Sequence, residues 1–330
     1  MSKSESESRC YVGFDTSNYT TSAAVCMRAP DGELCVTANC KIPLPVGEGE
    51  RGLRQSDAVF HHTRHLPAIL GQLSEAVGAA DVSAVGCSSK PRDAEDSYMP
   101  CFLVGLGAAE AYGAGAGTPV YRVSHQSGHI MAALYGSGAL ADGLLNESEF
   151  LAFHVSGGTT EAVIARPRSG GFDVEIVGGT KDLHAGQVID RIGVKMGLPF
   201  PCGAAMETLA DTYTGKIPSM KRSVTDGYGN LSGVENRAVQ LLEQTGDTAA
   251  VSAFVLDVIA KTLVDMTNQI RESRGTGLPV VYAGGVMSNK RIRPLIQDGV
   301  GGRVYFAPPA FSADNAAGVA LLTALLHEEL

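Results

Sequence analysis

A chain of 330 residues, 44% hydrophobic and only 18% charged, is long enough for two cores, and its forty glycines point to an α/β protein rich in tight turns. A formal net charge of −9 excludes a globally basic surface for nucleic acid, and the lack of tryptophan argues against a platform of stacking aromatics. An RNA substrate would need local patches or a partner protein to hold it.

The first nine residues, Met1 to Arg9, are polar and read as a disordered tail with no apolar core of a signal peptide. Cys10–Asp15 reads as a strand, Thr16-Ser17-Asn18-Tyr19-Thr20-Thr21 as a hydroxyl-rich turn, and Ala23–Met27 as the returning strand of a hairpin. Such a turn offers amides and hydroxyls to a phosphate, although a plain polar hairpin explains it equally well. After an Asp31-Gly32 turn, Glu33–Ile42 reads as a third strand, and residues 43–57 as a loop rich in Gly, Pro and charge. Ser56–Gly78 has the apolar spacing of a helix and carries His61, His62 and His65. His61 and His65 stand four apart, but Arg64 between them disfavours a cation.

Val82–Ser88 reads as a strand, Lys90–Asp96 as a charged loop, Pro100–Gly113 as a helix and Pro119–Val123 as a strand. Ser124 is then a candidate N-cap for a helix that would set His125 and His129 on one face. Two imidazoles at that spacing suit a metal ion; ordinary polar residues at a helix start are the alternative. The layout then repeats: strand Phe150–Val155, turn Ser156-Gly-Gly-Thr-Thr160, strand Glu161–Arg166. Two such hairpins could grip a polyphosphate, with the glycines allowing close backbone approach. Gly178–Asp182 reads as a turn, Gly186–Met196 as a helix bearing Asp190 and Arg191, and Ala204–Tyr213 as another helix. Residues 215–236 read as irregular, with Lys216, Lys221 and Arg222 as a modest basic patch or a plain solvated surface. Helices over Asn236–Gln244 and Thr248–Gly275 precede a buried strand, Leu278–Tyr282, which enters the glycine turn Ala283–Lys290. A glycine turn at the carboxyl end of a strand is where α/β sheets receive nucleotides. Val304–Ala307 is the last strand, and Ser312–Ala316 opens the last helix with Asp314 as a third candidate metal ligand. No apolar run reaches membrane-spanning length. Seven cysteines without a Cys-x-x-Cys pair suit reduced thiols, so a cytoplasmic address is expected.

Taken together, Gly13-Phe-Asp-Thr-Ser17, Ser124-His-x-x-x-His129, Val155-Ser-Gly-Gly-Thr-Thr160, Asp190–Gly203, Ala283-Gly-Gly-Val-x-x-Asn289 and Ser312-Ala-Asp-Asn-Ala-Ala317 resemble the TsaD family. The resemblance runs from residue 11 to the end. It implies the actin-like, Hsp70-like, sugar-kinase-like ATPase fold, α/β with two duplicated lobes around a nucleotide cleft. The lobes would span 10–124 and 125–330, with the terminal helix 312–330 packing back on the first. The implied activity is acyl transfer: a threonylcarbamoyl group passes from threonylcarbamoyl-AMP to N6 of adenosine 37 in tRNA. Carried over residue by residue, His125, His129 and Asp314 would bind one divalent metal per chain, iron or else zinc. Val155, Ser156, Gly157, Gly158, Thr159, Asp190, Gly203, Gly284, Gly285 and Asn289 match contacts to ATP or the acyl-adenylate. The implied partners are tRNA and TsaB- or TsaE-like proteins, with no membrane. No catalytic side chain is assigned beyond the metal.

Four positions depart from the family pattern. Tyr19 and Thr20 stand where an acidic pair is usual, and Ser89-Lys-Pro-Arg-Asp93 replaces a Gly-Pro-Gly-Leu loop. Thr159 stands where His follows Ser-Gly-Gly, and Glu235 in Ser232-Gly-Val-Glu235 reverses the charge of a usual Lys. These departures leave two alternatives: a divergent paralogue acting on another acceptor, by carbamoyl-type transfer or nucleotide hydrolysis, and a non-catalytic partner of the true synthase.

Overall fold

The computed structural model describes residues 9–17, 19–45, 53–274, 277–313 and 316–329. Asn18, residues 46–52 of the expected 43–57 loop and the nominated ligand Asp314 lie outside the described residues. The chain divides into two compact units: one takes the chain up to Tyr135, Pro167–Asp173 and the chain from Ala313 on, the other Gly136–Arg166 and Val174–Ser312. The division thus falls after Tyr135, where Ser124 was expected, because the helix bearing His125 and His129 packs with the elements before it.

In the first unit, β1 (Arg9–Asp15), β2 (Thr20–Arg28) and β3 (Leu34–Pro43) precede α1 (Gln55–Val77), β4 (Val82–Lys90), α2 (Phe102–Ala116), β5 (Val120–Ser124) and α3 (His125–Gly136). Arg9, expected in the tail, begins β1. The sheet order is β3-β2-β1-β4-β5, antiparallel from β3 to β1 and parallel from β1 to β5. Residues Cys10 to Asp15 of β1 are all buried, the mark of a central strand covered on both faces rather than one facing water. One cover is α1 with Ile69 and Leu73; another is the C-terminal helix of the chain, described below.

In the second unit, β6 (Phe150–Val155), β7 (Thr160–Arg168), β8 (Gly171–Thr180), α4 (Ala185–Lys195), α5 (Gly203–Thr212), β9 (Ser223–Thr225), β10 (Tyr228–Asn230), α6 (Ser232–Thr245), α7 (Thr248–Arg274), β11 (Val280–Ala283), α8 (Ile292–Val300), β12 (Val304–Phe306) and α9 (Pro309–Ser312) follow. The sheet order is β12-β11-β6-β7-β8-β10-β9. Its run from β8 through β6 to β12 repeats the first sheet's topology, with β9 and β10 added at one edge. Helix α7 is buried over nearly its whole length and is the centre of this core, packed with Val188, Ile192, Met206 and Tyr282. The expected turn at Gly178–Asp182 is instead the end of β8, and the expected irregular stretch 215–236 holds the β9–β10 hairpin and the start of α6. Gly178 belongs in a strand because a Cβ there would come within 2.5 Å of the Gly227 carbonyl oxygen.

The last helix, α10 (Ala317–Glu328), belongs to the first unit and lies against β1 and α3. A Cβ on Gly13 would come within 2.5 Å of Ala320 N, and one on Gly318 would clash with the Gly128 carbonyl, so backbones touch on both sides of α10. Among the described residues no helix is long and apolar enough to cross a membrane.

Candidate functional site

Within the first unit the chemistry gathers where β1, β4 and β5 end. Ser124, the last residue of β5, caps α3 as its sequence suggests: its Oγ accepts the Ser127 amide N–H at 3.1 Å. The cap starts the helix at His125 and so sets His125 and His129 one turn apart, with ring centroids 4.3 Å apart and planes at 76°. From the end of β1, the Asp15 carboxylate reaches His125 Nδ1 at 2.8 Å. Asp15 is buried, and it also accepts Ser17 N–H at 3.1 Å and the Ser88 hydroxyl at 2.6 Å. With its proton on Nδ1 donated to Asp15, His125 would present Nε2 as the nitrogen able to ligate a metal, the arrangement that a metal-bound histidine requires. The donor set therefore suits a divalent metal with open coordination positions, although among the described residues no three His, Cys, Asp or Glu side chains gather as ligands.

The 89–93 loop, noted only as a departure, proves to be tied to this helix. Asp93 accepts the Ser124 and Ser127 hydroxyls at 2.8 and 3.0 Å and pairs with Lys90 at 3.2 Å and Arg168 at 3.1 Å. Burial pushes its pKa upward, but these hydrogen bonds and Lys90 outweigh it and hold the carboxyl below its ordinary range. The competing histidine cluster on α1 is structural. His62 is buried, and the Thr21 hydroxyl meets His62 Nδ1 at 2.9 Å and His65 Nδ1 at 3.2 Å. Burial first, then His61 and Arg64, lower the pKa of His65.

Within the second unit three turns meet at the carboxyl ends of β6 and β11. The β6–β7 turn closes with a bond from Ser156 N–H to the Thr159 carbonyl at 2.7 Å, and Ala185 N–H, at the start of α4, donates to Thr160 Oγ1 at 2.9 Å. Gly186 N–H donates to the Ser156 carbonyl at 3.1 Å, so α4 points its first turn at this loop. On α4, Asp190 Oδ1 accepts the Cys202 N–H at 2.8 Å, which fixes the approach to Gly203 at the start of α5. A Cβ on Gly157 would stand 3.9 Å from Asp190 Oδ2, so turn and carboxylate are neighbours. Burial, then the Asp190 charge, push the Cys202 thiol pKa up, which keeps it a protonated packing group. Gly284 has φ +101° and lies against Val155, whose carbonyl oxygen would be 2.3 Å from an added Cβ. That contact brings the β11 turn onto the β6 turn. Asn289 Oδ1 accepts the Arg291 and Ile292 N–H groups, both at 3.0 Å, leaving its amide group for another partner.

The glycines here fall into two classes. Gly186 and Gly284 are required by packing, since a Cβ would overlap backbone. Gly158, Gly203 and Gly285 face open space, and no described residue occupies the place of a side chain there. The charge reversal at Glu235 is compensated: it is buried at the start of α6 and pairs with Arg191, the neighbour of Asp190, at 2.9 Å. Of the basic patch, Arg222 is engaged with Asp265 at 2.5 Å, while Lys216 and Lys221 are exposed. Sequence reasoning missed the roles of Asp15 and Asp93; Asp15 lay inside the quoted motif Gly13–Ser17, whereas Asp93 had no local signal.

Comparison with known proteins shows relatives in both sequence and fold. The chain is 27% identical over 303 residues to the tRNA N6-adenosine threonylcarbamoyltransferase of Methanopyrus kandleri, covering 90% of this chain and 82% of that protein. It is 27% identical over 337 residues to the enzyme of the same name from Bacillus licheniformis, covering 96% and 92%. Among solved structures, HypF of T. kodakarensis superposes with a TM-score of 0.59 at 12% identity, over 98% of this chain and 48% of that one. The activator of 2-hydroxyisocaproyl-CoA dehydratase from Clostridium difficile gives 0.50 at 14% identity, over 97% and 96%. The chain thus shares the α/β fold, with its two sheets, of these neighbours. The model of the TsaD family, "tRNA N6-adenosine threonylcarbamoyltransferase", matches residues 51–321, and the chain belongs to this transferase family.

Proposed function

We propose that this chain transfers a threonylcarbamoyl group from threonylcarbamoyl-AMP to N6 of adenosine 37 in tRNA, as its family name implies. The observation that carries the nucleotide part is the set of open glycines, Gly158, Gly203 and Gly285, around the fixed carboxylate of Asp190. Amides of Gly157, Gly158 and Thr159, with the start of α4 behind them, donate to the phosphate, while Ser156 N–H closes the turn. Asp190 Oδ2 accepts from the ribose hydroxyls, while Gly203 and Gly284-Gly285 admit the adenosine and Asn289 donates to it. ATP would occupy the same contacts.

The metal reading rests on His125, held by Asp15, on its neighbour His129, and on Asp314 as the expected third ligand. An iron or zinc ion held there would polarise an acyl or phosphate oxygen. In the transfer, the adenine N6 amine attacks the carbamoyl carbon, the bond from that carbon to the phosphate oxygen breaks, AMP leaves with the electron pair, and the amine proton is lost.

Partner proteins help to hold the tRNA, since the chain's charge is −9. A TsaB- or TsaE-like partner is supported by an apolar groove of about 620 Å³ between α1 and α2, lined by Leu66, Leu70, Leu103, Val104 and Ala108. The cytoplasm suits the chain, whose described cysteines are thiols rather than disulfides.

A second reading keeps this machinery and changes the acceptor. Tyr19, 43% exposed, and Thr20 supply no acid where the family has one, and the 89–93 loop is fastened to α3 by Asp93. AMP release from threonylcarbamoyl-AMP, followed with and without unmodified tRNA and partner proteins, separates the two. Release that depends on tRNA supports the first reading; release indifferent to tRNA supports the second.

A further inference from the structure

Helix α3 begins directly at a candidate ligand, so whatever fixes its first turn also fixes the distance between His125 and His129. The free N–H groups of a first turn need partners, and without them the turn frays. Here the 90–93 loop supplies one directly and holds the hydroxyl that supplies another. The Pro91 carbonyl accepts Gln126 N–H at 3.0 Å, and Ser124 Oγ accepts Ser127 N–H at 3.1 Å. Ser124 Oγ can accept in that direction because its own proton goes to Asp93 Oδ2 at 2.8 Å. Ser127 Oγ does the same one turn-width away, donating to Asp93 at 3.0 Å while accepting Phe172 N–H at 3.3 Å. Lys90 from the same loop and Arg168 from the end of β7 complete the carboxylate's coordination.

We infer that Asp93 is a positioning residue for the His125/His129 pair, orienting the Ser124 hydroxyl that caps α3 and the Ser127 hydroxyl that ties its first turn to β8, so that both imidazoles keep a fixed spacing. It touches neither imidazole, and its contribution passes through Ser124 and Ser127. This inference rests on the metal reading above only for its consequence. The geometry it asserts, a first turn of α3 held by one carboxylate, exists with or without metal. The loop that departs from the family's glycine-rich pattern thus has a task of its own in this chain: a carboxylate holds what a charged surface loop would leave loose.

The test compares full-length wild type with Asp93→Ala, Asp93→Glu and a control, Asp173→Ala, which removes the other acidic partner of Arg168. Two quantities are measured: hydrogen exchange of the amides of residues 126–128 in metal-free protein, and affinity for Co(II) alone from its visible absorption. The expected result for Asp93→Ala is faster exchange confined to these amides, together with an affinity loss of about tenfold or more, the range found for groups that orient ligands. Asp93→Glu should recover part of both, and Asp173→Ala should change neither. Unchanged exchange, or exchange that rises evenly through the whole unit, overturns the inference, as does faster local exchange with undiminished Co(II) affinity in a wild type that binds it. If wild type binds no Co(II), the metal reading fails, and local exchange alone decides the role of Asp93.

Discussion

The Asp15 carboxylate and His125 Nδ1 lie 2.8 Å apart, although 110 residues separate them in the chain. Strand β1 delivers the buried acid, helix α3 delivers the imidazole, and on the metal reading the hydrogen bond selects which ring nitrogen would take the ion. Asp15→Asn keeps the shape and removes the charge. It should lower Co(II) affinity by roughly 10- to 100-fold, as loss of a carboxylate behind a ligating histidine does, while the circular dichroism spectrum stays that of wild type. Equal affinities in a titration of both proteins would show that Asp15 serves packing only.

Two glycines on the nucleotide side should answer differently to alanine. Gly284 has φ +101° and backbone where a Cβ would go, so Gly284→Ala should cost about 2 kcal/mol or more in urea unfolding. Gly203 opens α5 into empty space, so Gly203→Ala should leave stability nearly unchanged. Calorimetric titration should nevertheless show weaker AMP binding in Gly203→Ala, because its methyl group would enter the space assigned to adenosine.

Acid should loosen both units through named carboxylates. Asp182 accepts Leu231 N–H at 2.8 Å and Ser232 N–H at 3.0 Å at the start of α6. Burial raises its pKa, but these hydrogen bonds more than offset that and leave it lowered from 3.8, as they do for Asp93. A lowered folded pKa means that the stabilisation is complete above the ordinary carboxyl value and is lost as pH falls below it. Urea midpoints measured from pH 6 to pH 3 should therefore drop most steeply near the acid end, and less steeply in Asp182→Asn, which has no proton to gain.

The α1–α2 groove carries the partner reading. Leu103 is 51% exposed on its rim, so Leu103→Glu should leave folding intact and reduce co-elution with a TsaB-like partner on size exclusion. Undiminished co-elution would place the partner on another surface.

Much of this architecture is legible in the chain's own pattern. Helix α1 shows in the spacing of Leu66, Ile69, Leu70 and Leu73, and the Ser124 cap shows in the residue type before two histidines. Strand β8 was hidden because Gly178 and Gly179 imitate a turn, whereas they are there for the close approach of Gly227 and Thr160 backbone. Strands β9 and β10, three residues each, are too short to show any period. The expected site residues come from motifs, but the groups that hold His125 and α3 in place do not show in them. Asp93 meets Ser124 from 31 residues away, and no local rule distinguishes an acid that binds a distant hydroxyl from one that faces water.

The most direct measurement is mass spectrometry of tRNA nucleosides after one turnover with preformed threonylcarbamoyl-AMP, metal and the partner proteins. The account predicts adenosine heavier by one threonylcarbamoyl group in wild type and its loss in His125→Ala and Asp190→Ala. AMP released by wild type with every adenosine unmodified would contradict it and assign the transferred group to another acceptor.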